Sequence, residues 1–170
     1  MKRKVILITG GQRCGKSEYA ERLALQLSDN PVYVATAHAY DDEFRERIRR
    51  HKLRRGAQWS NIEEELKLSA INVSGKVVLI DCVTLWATNF FFANNQDTDL
   101  ALDALKTEFD RFIDNEAQFI FVTNEIGLGG VSENAMSRHF TDLLGHINQH
   151  IASKADEVTL IISGIPLKIK

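Results

Sequence analysis

Val5-Ile6-Leu7-Ile8-Thr9, Gly10-Gly11-Gln12-Arg13-Cys14-Gly15-Lys16-Ser17 and Glu18-Tyr19-Ala20-Glu21-Arg22-Leu23 are consecutive, and this opening stretch decides the fold. Four apolar residues in a row suit a strand buried on both faces. The next eight have the spacing G-x-x-x-x-G-K-S, and the third piece opens a helix. Glycines let successive backbone N–H groups turn inward around a phosphate, and the helix N-terminus adds its dipole. Lys16 is placed to reach the β- and γ-phosphates, and the Ser17 hydroxyl suits Mg²⁺. The alternative is a plain glycine turn between strand and helix. The strand–loop–helix context argues against it, and the stretch predicts binding of a nucleoside triphosphate by Gly10 to Ser17.

Working outward, short apolar runs recur at Val32–Ala35, Val77–Ile80, Phe119–Val122 and Val158–Ile162. Long segments between them have room for crossover helices. Leu102, Leu105, Phe109, Phe112 and Ile113 mark one amphipathic helix, and Met136, Phe140, Leu143, Ile147 and Ile151 another. The expectation is a single α/β domain over residues 1–170, a three-layer sandwich of the P-loop NTPase type with a mostly parallel central sheet. In such sheets the ligand lies beyond the carboxyl ends of the strands.

A net charge of −2 gives no general reason to expect nucleic-acid binding. Two cysteines, Cys14 and Cys82, exclude a disulfide framework and a four-cysteine zinc site. A disulfide at Cys14 would obstruct the phosphate loop, which fits a reducing compartment. The basic start Met1-Lys2-Arg3-Lys4 is followed by too short an apolar run for a signal peptide, and no run spans a membrane. A cytoplasmic location without membrane insertion is expected.

Strand ends supply the further candidates. Asp81 ends an apolar run, as does the carboxylate that helps hold Mg²⁺ in nucleotide-hydrolysing folds; the competing role is a helix cap near Thr84. Ala35-Thr36-Ala37 follows the second run. Asn124-Glu125 follows the fourth and continues into Gly127-Leu128-Gly129-Gly130; it reads equally as a substrate contact or a polar turn.

The segment from Asp41 to Gly56 reads as a helix with acids at its start and bases at its end, as the dipole favours. His51 falls on its wheel between Phe44 and Ile48 on one side and Arg47 and Arg54 on the other. A neutral imidazole there is placed to attack an α-phosphorus, although a lone histidine is usually a boundary residue. His139, His146 and His150 share a later helix face, read as solvated in preference to metal-binding. The run Leu85 to Phe92 is apolar nearly all round, which suits a buried helix or a subunit interface.

Taken together the chain resembles the bifunctional adenosylcobinamide kinase / adenosylcobinamide-phosphate guanylyltransferase family of cobalamin biosynthesis. The resemblance runs nearly end to end. It is carried by Ile8 to Ser17, Tyr33 to Ala37, Asp41-Asp42-Glu43 with Arg47-Ile48-Arg49-Arg50-His51-Lys52, and Asp81 to Trp86. Val122-Thr123-Asn124-Glu125-Ile126-Gly127, Arg138-His139-Phe140 and Ala155-Asp156-Glu157-Val158 extend it. It implies that a triphosphate phosphorylates the aminopropanol hydroxyl of adenosylcobinamide. GTP then guanylylates a histidine, and GMP passes to adenosylcobinamide phosphate. The histidine maps onto His51. Nucleotide contacts map onto the phosphate loop, Ala35, Thr36, Ala37, Lys52, Leu53, Arg54, Arg55, Glu63 and Asp81. Mg²⁺, held by Ser17 and Asp81, is the implied cofactor, GTP and ATP are the implied substrates, and a homotrimer is implied. Arg50 stands where some relatives have a second histidine, so His51 is the one candidate nucleophile in that helix.

Two other readings use the same loop. One is a monofunctional small-molecule kinase with His51 inert; the other is a non-catalytic nucleotide-dependent switch.

Overall fold

The computed structural model describes residues 1–37 and 55–170. The described strands are β1 (Lys4–Gly10), β2 (Val32–Ala35), β3 (Ser60–Glu63), β4 (Val77–Asp81), β5 (Gln118–Val122), β6 (Glu157–Ile162) and β7 (Ile165–Lys168). They form one sheet in the order β3-β2-β4-β5-β1-β6-β7, parallel throughout except for the β6–β7 hairpin. The described α-helices are α1 (Lys16–Leu27), α2 (Val83–Ala93), α3 (Thr98–Phe112) and α4 (Ala135–Lys154).

Alternating side chains of each inner strand supply two cores. Val5, Leu7, Val78, Ile80, Phe119 and Phe121 pack against α2, α3 and α4. Ile6, Ile8, Leu79, Ile120 and Val122 pack against Ala20 and Ala24 of α1. That both faces are covered explains why the inner strands read as unbroken apolar runs. The three-layer expectation is met, with α1 alone on one face among the described helices.

Helix starts follow local chemistry. Asp97 accepts from the Leu100 N–H at 3.0 Å, and Asn134 accepts from the Ser137 N–H at 3.0 Å. The start of α1 differs: Gly15, in the left-handed region at φ 97°, offers no side-chain cap. Its first N–H groups are left for a ligand, as anion binding requires.

The aromatic run is a buried helix within the chain. Trp86 and Phe91 are essentially inaccessible, Phe90 is buried, and Phe92 alone of the four is exposed. Packing of α2 on the sheet and its neighbours already satisfies this surface, so it supplies no argument for a subunit interface. The histidine face divides as well. His139 and His146 are exposed, while the His150 imidazole lies 2.9 Å from the Asp110 carboxylate. No group of three or more potential metal-binding His, Cys, Asp or Glu residues occurs among the described residues. Among them, too, no helix is long and apolar enough to cross a membrane.

Candidate functional site

The carboxyl ends of β1, β2, β4 and β5 open into one cleft of about 1150 Å³. Gly11 to Ser17 form one wall, Ala35 and Ala37 another, and Asp81, Asn124 and Glu125 the floor between them. The strand ends therefore bring together the phosphate loop and the acid at the end of β4, with Ser17 and Asp81 far apart in sequence.

The loop is shaped by two glycines. At Gly10 (φ 153°) a Cβ would stand 2.5 Å from the Ile161 carbonyl oxygen, so the loop leaves the strand only because no side chain is there. At Gly15 a Cβ would meet the Gly164 Cα at 3.3 Å, and the Gly164 N–H donates to the Cys14 carbonyl at 2.8 Å. The turn of the β6–β7 hairpin thus braces the loop from behind. The Lys16 ammonium, largely buried, donates to the Gly11 carbonyl at 2.7 Å across the mouth of the loop.

Asp81 is oriented by Tyr33, whose hydroxyl donates to Oδ2 at 3.2 Å. Burial and the adjacent Asp81 carboxylate push the Tyr33 phenol well above its usual value, so it stays protonated as the donor. The Arg55 guanidinium lies 3.4 Å from the centre of the Tyr33 ring, Trp59 meets the ring edge-on, and Arg55 Nε donates to Asn61 at 2.9 Å. Arg55 enters the cleft wall as a stacked cation. Next to Asp81, the Cys82 thiol is pushed up to about 11 by burial and by that carboxylate, which keeps it an un-ionised, unreactive group.

Other predicted contacts sit differently. Thr36 is fully buried: its hydroxyl donates to the Cys82 carbonyl at 2.8 Å and accepts from the Cys82 N–H at 3.0 Å. Its side chain ties the ends of β2 and β4 together, leaving Ala35 and Ala37 to face the cleft. Glu63 ends β3 in register with Ala35 and does not line the cleft. His51, Lys52, Leu53 and Arg54 lie outside the described residues, as does most of the predicted basic helix.

Two features were out of reach of the sequence reading. Thr9 donates to Glu125 at 2.7 Å, and the Asn124 N–H and side-chain amide both donate to the Thr84 hydroxyl, at 3.1 and 3.0 Å. Only the strand-end position of Asn124-Glu125 signalled this loop. As donors for a divalent cation, the Ser17 hydroxyl and the Asp81 carboxylate are hard oxygens facing one cleft. That set fits Mg²⁺, which takes few protein ligands and completes its shell with water and phosphate.

The cobinamide kinase / cobinamide phosphate guanyltransferase family model matches residues 6–169. The chain belongs to this family. It is 38% identical to the bifunctional adenosylcobalamin biosynthesis protein CobU of Salmonella typhimurium, covering 98% of this chain and 99% of that one. It is 39% identical to the protein of the same description, CobP, of Pseudomonas aeruginosa, covering 96% of each. Among solved structures, the flagellar accessory protein FlaH of Methanocaldococcus jannaschii superposes with a TM-score of 0.53 at 15% identity, covering 99% of this chain and 79% of that one. A Pyrococcus horikoshii structure, PH0250, gives 0.54 at 8%, covering 99% and 87%. At such identities these two speak for the α/β fold alone. Family membership makes the protein a cobinamide kinase and cobinamide phosphate guanyltransferase, an enzyme of cobalamin biosynthesis.

Proposed function

We propose that both reactions use the nucleotide cleft and that His51 carries the GMP between them. The observation behind this reading is the convergence of the phosphate loop, Asp81 and the Arg55 stack in one cleft, with Arg55 joined directly to the segment that carries His51. Gly10 to Ser17 cradle the triphosphate, with Ala35, Ala37, Lys52, Leu53, Arg54 and Arg55 beside it; Glu63 stands at the end of β3. In the kinase reaction the acceptor hydroxyl of adenosylcobinamide attacks the γ-phosphorus, and the diphosphate leaves. In the second reaction the His51 imidazole attacks the α-phosphorus of GTP and pyrophosphate leaves. The phosphate oxygen of adenosylcobinamide phosphate then attacks the phosphorus of the histidine adduct. It takes up GMP, giving adenosylcobinamide-GDP and restoring the imidazole.

Ser17 and Asp81 would hold Mg²⁺, which when bound offsets the negative charge of the phosphate oxygens. Lys16 places a positive charge beside the β- and γ-phosphates. The enzyme acts in the cytoplasm as a homotrimer, and residues 1–170 work as one domain.

Incubation with GTP labelled in the α-phosphate tests the reading. Label stays on the protein through an acid-labile, base-stable bond, while label in the γ-phosphate departs with pyrophosphate. His51→Ala loses the adduct and guanylyl transfer and keeps measurable phosphorylation of adenosylcobinamide. An adduct on His51→Ala would place the nucleophile elsewhere; loss of phosphorylation as well would contradict the separate roles.

A further inference from the structure

Phosphorylating an alcohol leaves one proton to be disposed of. When the hydroxyl oxygen bonds to the γ-phosphorus, and the bond from that phosphorus to the β–γ bridging oxygen breaks, the O–H proton must pass to a base within hydrogen-bond reach. Three carboxylates line the cleft among the described residues: Glu18, Asp81 and Glu125. Glu18 is 70% exposed on the outer side of α1, within 3.7 Å of Arg22. Asp81 already receives the Tyr33 hydroxyl and has the charge and position of a cation ligand. Glu125 remains.

Its setting is that of a fixed base. The Glu125 N–H donates to the Gly10 carbonyl at 3.2 Å, so the residue is fastened to the first glycine of the phosphate loop. Oε1 accepts from Thr9 at 2.7 Å, while Oε2 has no hydrogen bond among the described residues. The two preceding residues are held just as firmly. Thr123 donates to Asn148 of α4 at 2.7 Å, and the Asn148 amide returns a hydrogen bond to the Asn124 carbonyl at 3.1 Å. Because β5 lies between β1 and β4, its end sits between the phosphate loop and Asp81. Beyond Glu125 the cleft lining continues through Ile126, Leu128 and Gly129, with Leu128 80% exposed.

We propose that Glu125 is the catalytic base of the kinase step, Oε2 taking the proton of the aminopropanol hydroxyl as its oxygen bonds to the γ-phosphorus. The proposal rests on the two-reaction reading above. It assigns Glu125 to the first reaction alone, since the histidine adduct forms without a hydroxyl nucleophile.

The experiment measures both half-reactions on the same preparation of Glu125→Gln. Kinase kcat falls by roughly 10²- to 10⁴-fold, the range for loss of a general base. KM for the triphosphate changes little, and the GMP adduct forms from GTP to the wild-type level. Glu125→Asp recovers part of the kinase turnover. Thr9→Val, which removes the support and leaves the carboxylate, costs no more than about tenfold, well below the range for losing a base. Kinase turnover in Glu125→Gln within threefold of wild type overturns the proposal. So does parallel loss of kinase turnover and adduct in a variant that folds, because that pattern marks a shared nucleotide-binding role. Should Glu125→Gln fail to fold, the Asp variant decides: kinase loss with an intact adduct supports the assignment, and equal loss of both removes it. Failure of the two-reaction reading looks different, since wild-type protein would then form no adduct or phosphorylate no cobinamide.

Discussion

Tyr33 shows how one residue can serve a site without touching the reacting atoms. Its hydroxyl fixes one oxygen of Asp81, and its ring carries the Arg55 guanidinium. Tyr33→Phe keeps the ring and the stack and removes only the hydrogen bond. Loss of a partner that orients a metal-binding carboxylate typically costs on the order of tenfold or more in metal affinity. The expected result is therefore a rise of about tenfold in the Mg²⁺ concentration for half-maximal turnover, with little change in saturated turnover. An unchanged Mg²⁺ dependence would show that Asp81 needs no such support. Asp81 and Lys16 were legible from the chain because each belongs to a local pattern: an apolar run with a terminal acid, and a fixed loop spacing. The Tyr33–Asp81 and Thr9–Glu125 pairs were not, since each joins two strand ends whose meeting depends on strand order. Thr36 shows what a linear reading leaves out: the family resemblance implies a nucleotide contact there, and the structure adds that its hydroxyl is bonded to the Cys82 backbone.

At the scale of elements, α3 and α4 are joined on their outer side by Asp110, which meets both His150 and Lys154. Burial alone would raise the Asp110 carboxyl, but hydrogen bonds and charge from His150 and Lys154 outweigh it and hold it below its ordinary value. A depressed carboxyl contributes stability above the unfolded value, near ~3.9, and loses it as pH falls through the lower folded value. With the group 40% exposed, solvent screening limits the contribution to about 0–1 kcal/mol. Thermal melts of wild type and Asp110→Asn should therefore differ slightly at neutral pH and converge below about pH 4. A difference that persists once the carboxyl is protonated would contradict the assignment. Element prediction itself succeeded where burial is two-sided. The inner strands announce themselves as apolar runs, but β3 (Ser-Asn-Ile-Glu) and β7 (Ile-Pro-Leu-Lys) lie at the edges of the described sheet, largely exposed and without such a run. Pro166 is tolerated there because an edge strand has free positions in its ladder.

For the molecule as a whole, the apolar surface that invites association is not the aromatic helix. Ile165 is 70% exposed and Leu167 54%, both on β7 at the edge of the sheet. An exposed apolar edge strand is a surface that proteins usually cover. A homotrimer is the expectation from the family resemblance, and this edge is the exposed apolar surface such an assembly would cover. Light scattering across micromolar concentrations is expected to give three times the mass of one chain, and a single-chain mass throughout would overturn it.

The brace between the hairpin and the phosphate loop has a consequence for how the enzyme is made. A ribosome delivers Cys14 and Gly15 well before Gly164, and domains assemble as their segments emerge. The loop cannot take its supported shape until the hairpin has been translated and has found β1. The cradle is therefore a late product of assembly rather than a property of its own eight residues, and damage to the hairpin turn is expected to reach the triphosphate through the Gly164–Cys14 hydrogen bond.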